Sequence, residues 1–284
     1  MRTAKVRTTA IGIDSIGLQA FEIIHKKRVA NIDLLSYSEE NNTLLPLYAS
    51  TRALNLVNDS ACVHDLRDNG EVVYLIIDAA NYTNVAYTLA KTLANQGVFT
   101  IAVIVLSPKL REQSAEAIQQ LNPVVDTLIF LANDDDFNLS TKAVADVIIT
   151  LDNIIKEQRS QETSVDYADL KHVWNVSGMA AIGIAEAEGK ARTNDLIQNA
   201  LAAPYIFRKF EFMPSTLLLN IISGTTAELE MEELTAITES IQNELGIEAE
   251  IIFGHALDES LGSKIKLELV ASMQPTDVRR FLGK

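Results

Sequence analysis

The chain has 284 residues, of which 48% are apolar, and a formal net charge of −14 at pH 7. This apolar content excludes a disordered chain, and the negative charge argues against nonspecific binding of nucleic acid, which needs clustered Lys and Arg side chains. The longest apolar runs, such as Val72–Ile77 and Phe99–Leu106, are far shorter than the ~20 residues that cross a bilayer, so we expect no membrane insertion. A lone cysteine, Cys62, and no recognisable secretion leader indicate a reduced, cytoplasmic setting.

Apolar runs of strand length alternate with helical periodicity through the first half of the chain. The pattern predicts, in order, a strand at Lys5–Ile13, a helix to His25, strands at Ala30–Tyr37 and Val72–Ile77, a helix to Ala94, a strand at Phe99–Leu106, a helix to Gln120 and a strand at Thr127–Leu131. Such alternation is typical of a parallel, Rossmann-like sheet that is covered by helices on both faces.

A long amphipathic helix is predicted from about Thr141 to Arg159, because apolar side chains recur there at three-four spacing. After it, the pattern predicts helices near 167–176, 192–202 and 230–245, and strands at 180–187, 217–222, 250–253 and 264–271. Ile265, Leu267 and Leu269 alternate with polar residues, which suits a sheet with one solvated face. We therefore predict an α/β domain over 1–140, a central helix and linker over 141–163, and a smaller α/β domain over 164–284.

Several segments resemble those of the FtsZ/tubulin family, in order and spacing. Val-Asp-Tyr-Ala-Asp-Leu-Lys at 165–171 resembles the family's N-V-D-F-A-D-V-K, and Gly-Met-Ala-Ala-Ile-Gly at 178–183 resembles its G-x-A-x-x-G. The strands at 218–224 and 251–254 look like V-N-I-T-G-G and I-I-F-G, and 127–134 looks like T-x-I-x-I-P-N-D with Ala132 in place of proline. The resemblance implies a GTPase-type domain, a long central helix and an activation domain, in a cell-division or other cytoskeletal protein.

The first phosphate loop of that family, G-G-G-G-N-A, is altered in this chain. The matching run begins at Gly12, and the positions that would face nucleotide are Gly12, Asp14, Ser15, Gly17 and Gln19. Asp14 stands where an anion would lie, and two unit charges about 4 Å apart at an effective dielectric near 20 repel by roughly 4 kcal/mol. We also expect Ser15, with Asp14 beside it, to satisfy the N-terminus of the following helix in place of a ligand.

The second phosphate loop, G-G-G-T-G-T-G in the family, corresponds to residues 78–84 and contains no glycine. Its candidate positions are Asp78, Asn81, Thr83 and Asn84, with Tyr82 adding bulk. The resemblance further places Asn133 in a pocket loop, and Thr141 and Ala145 where the family holds guanine. Since phosphate and base recognition both fail, we predict no bound cofactor; GTP or GDP would bind only if the altered pocket still accepts nucleotide.

The resemblance also points to a catalytic loop that acts on the neighbouring subunit's nucleotide. Asp166 and Asp169 match the carboxylates of the family's N-x-D-x-x-D loop, and Ser164 replaces its asparagine. The same two residues could instead cap the helix that begins at Tyr167. Both interpretations stay open from the sequence.

Other chemistry-bearing residues give weaker signals. The four histidines lack metal-ligand spacing, and we predict no metal site. The acidic run Asp134–Asp136 is most simply a solvated loop, and Cys62 and Trp174 are most simply core residues.

Three functions remain from the sequence. The first is an FtsZ-like protein that forms or modulates filaments without hydrolysing GTP on its own, with partners that are copies of itself, head-to-tail, or a genuine FtsZ subunit. The second is a divergent GTPase that polymerises. The third is a sensor domain for another small ligand.

Overall fold

The computed structural model describes residues 8–29, 32–38, 43–47, 54–55, 72–79, 84–106, 115, 118–132, 137–156, 165–175, 178–202, 214–245 and 249–273. The chain divides into two compact units, Met1–Asp152 and Asn153–Lys284. The division falls within a long helix, Phe137–Ile155, which begins earlier than the predicted Thr141.

The first unit contains a mainly parallel sheet. Its strands are β1 (Thr8–Gly12), β2 (Ile32–Ser38), β3 (Thr43–Pro46), β4 (Leu54–Asn55), β5 (Val72–Asp78), β6 (Phe99–Leu106) and β7 (Thr127–Ala132), in the order β4-β3-β2-β1-β5-β6-β7. The neighbouring strands β2, β1, β5, β6 and β7 pair in parallel, whereas β3 and β4 add an antiparallel edge. Every residue of β1 and β5 is buried, as expected for central strands that are covered on both faces.

Three helices of the first unit are well defined: α1 (Ser15–Lys26), α2 (Asn84–Asn95) and α3 (Phe137–Ile155). Apolar side chains of α1 recur at Ile16, Ala20 and Ile24, and these are buried. In α3, Val144, Ile148 and Leu151 are likewise fully buried. Helix α1 therefore presents an apolar stripe to the core and a polar stripe to solvent, whereas α3 is buried over most of its described surface.

The described part of the second unit has a four-stranded mixed sheet and three α-helices. Its strands are β8 (Met179–Ala187), β9 (Thr216–Ser223), β10 (Glu250–Leu257) and β11 (Ile265–Ser272), in the order β8-β11-β9-β10. Strands β9 and β10 are parallel, and β11 runs antiparallel to β8 and β9. The helices are α4 (Tyr167–Asn175), α5 (Arg192–Ala200) and α6 (Met231–Leu245). Trp174 of α4 is 2% exposed, which confirms its predicted place in the core.

Two sequence-based expectations about the sheets were wrong. The short antiparallel strands β3 and β4 were not predicted at all. The solvated face predicted for β11 is also absent, since Glu268 is fully buried between Lys266 Nζ at 2.8 Å and Asn220 Nδ2 at 2.7 Å. Because β11 is a central strand and both α4 and α5 pack against it, its charged side chains are paired inside the unit.

Among the described residues, no helix is long and apolar enough to cross a bilayer.

Candidate functional site

A crevice is expected at the carboxyl ends of β1 and β5, because the strand order reverses between them. From β1 the chain continues to β2 on one side, and β5 pairs on the other side of β1. In open parallel sheets, ligands bind at such a switch point, outside the carboxyl ends of the strands. Here Asp14 lies two residues after the end of β1, and Asp78 is the last residue of β5.

The carboxylate of Asp14 connects the two loops at this point. Its Oδ1 accepts hydrogen bonds from the main-chain N–H groups of Ile16 (3.0 Å) and Gly17 (3.1 Å), in the first turn of α1. Its Oδ2 accepts a bond from the main-chain N–H of Asp78. The two oxygens of one side chain thus accept hydrogen bonds from three backbone N–H groups at the switch point. The Asp14 carboxylate also places a negative charge at the positive end of the helix dipole.

Asp14, rather than Ser15, is therefore the N-cap of α1, and the prediction that Ser15 caps the helix was wrong. Asp14 has the extended backbone of an N-cap residue, with φ −131°, whereas Ser15 is the first helical residue and is exposed. Aspartate and serine cap equally well, so composition alone could not choose between adjacent residues. The donor from Asp78 was also missed, because the pairing depends on the register of β1 against β5.

The pKa of Asp14 lies above its ordinary value. Burial raises this pKa most, the three N–H donors lower it, and the charge of Asp78 raises it again. A carboxyl whose folded pKa exceeds its unfolded value binds its proton more tightly when folded, so its contribution to stability becomes more favourable as pH falls through that interval.

We therefore expect the stability advantage of the wild type over Asp14→Asn to grow as pH falls below the raised pKa of Asp14, and to be constant near neutrality. Denaturant unfolding of both proteins across the acidic range measures this difference. A difference that shrinks on acidification would contradict the sign of the shift.

The two glycines at this site are required by close backbone packing. A Cβ atom on Gly17 would lie 2.7 Å from Gly12 Cα, and one on Gly12 would lie 3.0 Å from the Phe21 ring. Neither glycine has a positive φ. Their presence is explained by the approach of α1 to β1, without any ligand.

We expect Gly17→Ala to lower the free energy of unfolding by about 1–3 kcal/mol, because the added methyl group overpacks this contact. Ser15→Ala is the matched control, since Ser15 is exposed and the expected change is within about 0.5 kcal/mol. Denaturant unfolding without nucleotide makes the comparison. An unchanged midpoint for Gly17→Ala would show that the contact is loose.

Asp166 and Asp169 form a reciprocal cap on α4. Oδ1 of Asp166 accepts bonds from the N–H groups of Ala168 (2.7 Å) and Asp169 (3.0 Å), and Oδ2 of Asp169 accepts a bond from the N–H of Asp166 (2.9 Å). This is a capping box with an aspartate at its third position. Asp166 and Asp169 thus cap α4, and the catalytic role of the pair stays a prediction.

Comparison with known proteins gives a consistent result. Residues 178–274 match the FtsZ family, C-terminal domain. Over 203 residues the chain is 28% identical to the cell division protein FtsZ of Magnetospirillum gryphiswaldense, a match that covers 66% of this chain and 36% of that protein. It is 22% identical to cell division protein FtsZ 1 of Halobacterium salinarum over 311 residues, covering 96% of this chain and 77% of that protein.

Solved structures agree in fold. An FtsZ W319Y mutant from M. jannaschii superposes with a TM-score of 0.70 at 17% identity, covering 94% of this chain and 91% of that one. CetZ2 from Haloferax volcanii, solved as a GTPγS-bound protofilament, gives 0.68 at 13% identity, with 98% and 97% covered.

Together these findings support this chain's membership of the FtsZ/tubulin family. Its α/β fold is that of the FtsZ/tubulin proteins, as the sequence predicted, and the family comprises cell-division and filament-forming cytoskeletal proteins.

The positions where FtsZ relatives would hold the base are packed into the core of the first unit. Thr141 is 3% exposed and Ala145 is fully buried. Gln19 lies on the exposed face of α1, and Asn84 is the first residue of α2. Asn81, Thr83, Asn133 and Ser164 lie outside the described residues. Of the predicted nucleotide positions, the structure thus brings together Gly12, Asp14, Ser15, Gly17 and Asp78.

The histidines and carboxylates of the described residues form no cluster of three that could hold a metal ion. His172 lies 3.2 Å from Glu250, and His255 Nε2 lies 2.7 Å from Ser223 Oγ. Burial lowers the pKa of His255. His64, Cys62 and the acidic run Asp134–Asp136 lie outside the described residues.

Proposed function

We propose that this chain is an FtsZ-like protein that folds without nucleotide and forms or modulates filaments without hydrolysing GTP on its own. The observation that carries the proposal is the carboxylate of Asp14, which accepts hydrogen bonds from the N–H groups of Ile16, Gly17 and Asp78. In a nucleotide-binding relative, donors at such a helix N-terminus would face phosphate.

Electrostatics supports the same conclusion. A phosphate at this point would compete with Asp14 for its donors and would lie against the negative charges of Asp14 and Asp78. Glycine-rich backbone, which lets phosphate approach closely, is reduced at the first loop to two glycines that pack on each other. Removal of the carboxylate alone would not give the second loop, residues 78–84, the glycines that let phosphate approach backbone N–H groups closely.

Assembly through head-to-tail contacts fits the family. Structural neighbours include an empty FtsZ dimer from M. jannaschii and protofilaments of CetZ2 and TubZ. Head-to-tail contacts between identical subunits give open filaments when the rotation does not close. The partners that we propose are therefore further copies of this chain, or a subunit of a genuine FtsZ.

We expect GTP with Mg²⁺ to leave the thermal unfolding midpoint unchanged, because on this proposal the chain does not bind it tightly. A ligand at a hundredfold excess over its Kd would stabilise the fold by about 2.7 kcal/mol, which a melt detects readily. An FtsZ with intact glycine loops is the positive control. Guanine nucleotide retained by the purified chain, or a midpoint that rises with GTP, would overturn the proposal.

Sedimentation and electron microscopy test the filament role. We expect pelleting of this chain alone that does not depend on GTP, or a change in the length or amount of FtsZ filaments when the chain is added to them. Absence of both effects would refute a role in filaments, whatever the nucleotide experiment shows.

A further inference from the structure

A surface groove lies between α5 and α6 in the second unit. Its volume is about 320 Å³. Ile197 and Ala236 supply apolar surface, and Thr193 and Ser240 supply hydroxyl groups. This volume lies at the lower end of the range for binding pockets, about 300–1,000 Å³.

The two ends of the groove carry opposite charges. Lys190 lies at one end, just before α5, and Glu244 lies near the end of α6. Both side chains are exposed, and neither forms an ion pair within the described part of the chain. The N-cap residue of α5, Ala191, makes no side-chain cap, so Lys190 stands beside helix N–H groups that also favour negative charge.

The separation of these charges sets the size of an occupant. The guanidinium of Arg192, at the start of α5, bonds the carboxylate of Glu233 near the start of α6, so the two helices are aligned at this end. From Glu233 to Glu244, α6 rises by about 16 Å at 1.5 Å per residue. Since extended peptide spans about 3.3–3.6 Å per residue, about five residues cover this length, and the first, third and fifth side chains face the same side.

We propose that this groove binds a short extended segment of a partner protein that carries an acidic side chain near one end and a basic side chain near the other. The acidic group binds at Lys190 and the first turn of α5, and the basic group binds at Glu244. A small apolar side chain between them packs on Ile197. Charge complementarity at both ends identifies the occupant as a peptide of mixed charge, because a nucleic acid or an anionic lipid surface would be repelled by Glu244.

Nuclear magnetic resonance of the full ¹⁵N-labelled chain tests the proposal, with acetyl-Glu-Ala-Val-Ala-Lys-amide as the probe, in which Glu, Val and Lys share one face of the extended chain. We expect saturable shifts of the amide signals of Thr193, Asn194 and Ser240, with a Kd on the order of 1 mM. Acetyl-Gln-Ala-Val-Ala-Gln-amide is the matched neutral probe and should bind several-fold more weakly. Equal binding of the two peptides, shifts confined to other surfaces, or no binding of the charged peptide would each overturn the proposal.

Charge reversal of the groove supplies a second test. Lys190→Glu and Glu244→Lys should each weaken binding about three- to tenfold, since each change replaces an exposed attraction by a repulsion. The double variant should restore binding, because the peptide can then bind in the opposite direction. Both positions are exposed and unpaired, so the variants should fold as the wild type does. Failure of the double variant to recover binding would show that the two charges do not act on the peptide together.

Discussion

Asp14→Ala is expected to lower the free energy of unfolding of the first unit by about 2–4 kcal/mol. Loss of an N-cap costs about 0.5–2 kcal/mol, and the N–H of Asp78 loses its acceptor in a partly buried place, which costs about 1–3 kcal/mol. Relief of the repulsion between Asp14 and Asp78 offsets part of this loss. Hydrogen exchange at the amides of Ile16, Gly17 and Asp78 measures the effect locally.

Two further variants separate the parts of this effect. Asp14→Ser keeps an N-cap acceptor but cannot bridge to Asp78, so protection should be retained at Gly17 and lost at Asp78. Glu22→Ala, on the exposed face of the same helix, removes only a weak pair with Lys26 and should change stability by less than about 0.5 kcal/mol. Protection retained at Asp78 in Asp14→Ser would show that the carboxylate does not act as a bridge.

Gly224→Ala is expected to have the larger effect, destabilising the second unit by about 4 kcal/mol or more. A Cβ atom at this position would lie 1.8 Å from the carbonyl oxygen of Gly262, so the backbone turn at Gly262 would have to move. That turn is held by the bond from the N–H of Gly224 to the carbonyl oxygen of Lys264 at 3.0 Å. Losses of this size arise from steric conflict with packed backbone.

The chain contains a single tryptophan, Trp174, which is buried in the second unit. Its fluorescence during denaturant unfolding therefore reports on the unit that contains Gly224. Gly189→Ala is the control: Gly189 has φ +84° and nothing within 4 Å of an added Cβ, so only the left-handed backbone is strained, at about 1–2 kcal/mol. Similar midpoints for the two variants would contradict the steric explanation.

The parallel core of the first unit could be predicted from the sequence because its strands are continuous buried runs. Val72–Asp78 and Phe99–Leu106 combine β-branched residues with strand length, and their neighbours have helical periodicity. The strands β3 and β4 could not be found in this way, since they have four and two residues and too few positions to show a period.

The hydrogen bonds of buried polar groups could not be predicted from the sequence, either in β11 or at Asp14. Glu268 alternates with apolar residues and was assigned to a solvated face, but its partner Asn220 lies 48 positions away in sequence. The N–H of Asp78 is 64 positions from the carboxylate that it binds. Such pairs depend on strand register, which is set by the whole sheet. Composition and spacing therefore show that a polar or charged group is present, but not which distant residue forms its hydrogen bond.

The hydrogen bond from the Asp78 N–H to the Asp14 carboxylate has a consequence for how a polymer of this chain could disassemble. A carboxylate that is part of the chain is present at a fixed effective concentration, whatever the level of free nucleotide in the cell. It cannot dissociate, exchange or be hydrolysed as a bound nucleotide can. The carboxylate itself therefore cannot switch a subunit between a strongly and a weakly associating state. On the proposal that this chain does not hydrolyse GTP on its own, turnover of any polymer built from it has to come from dilution, from competing partners or from proteolysis.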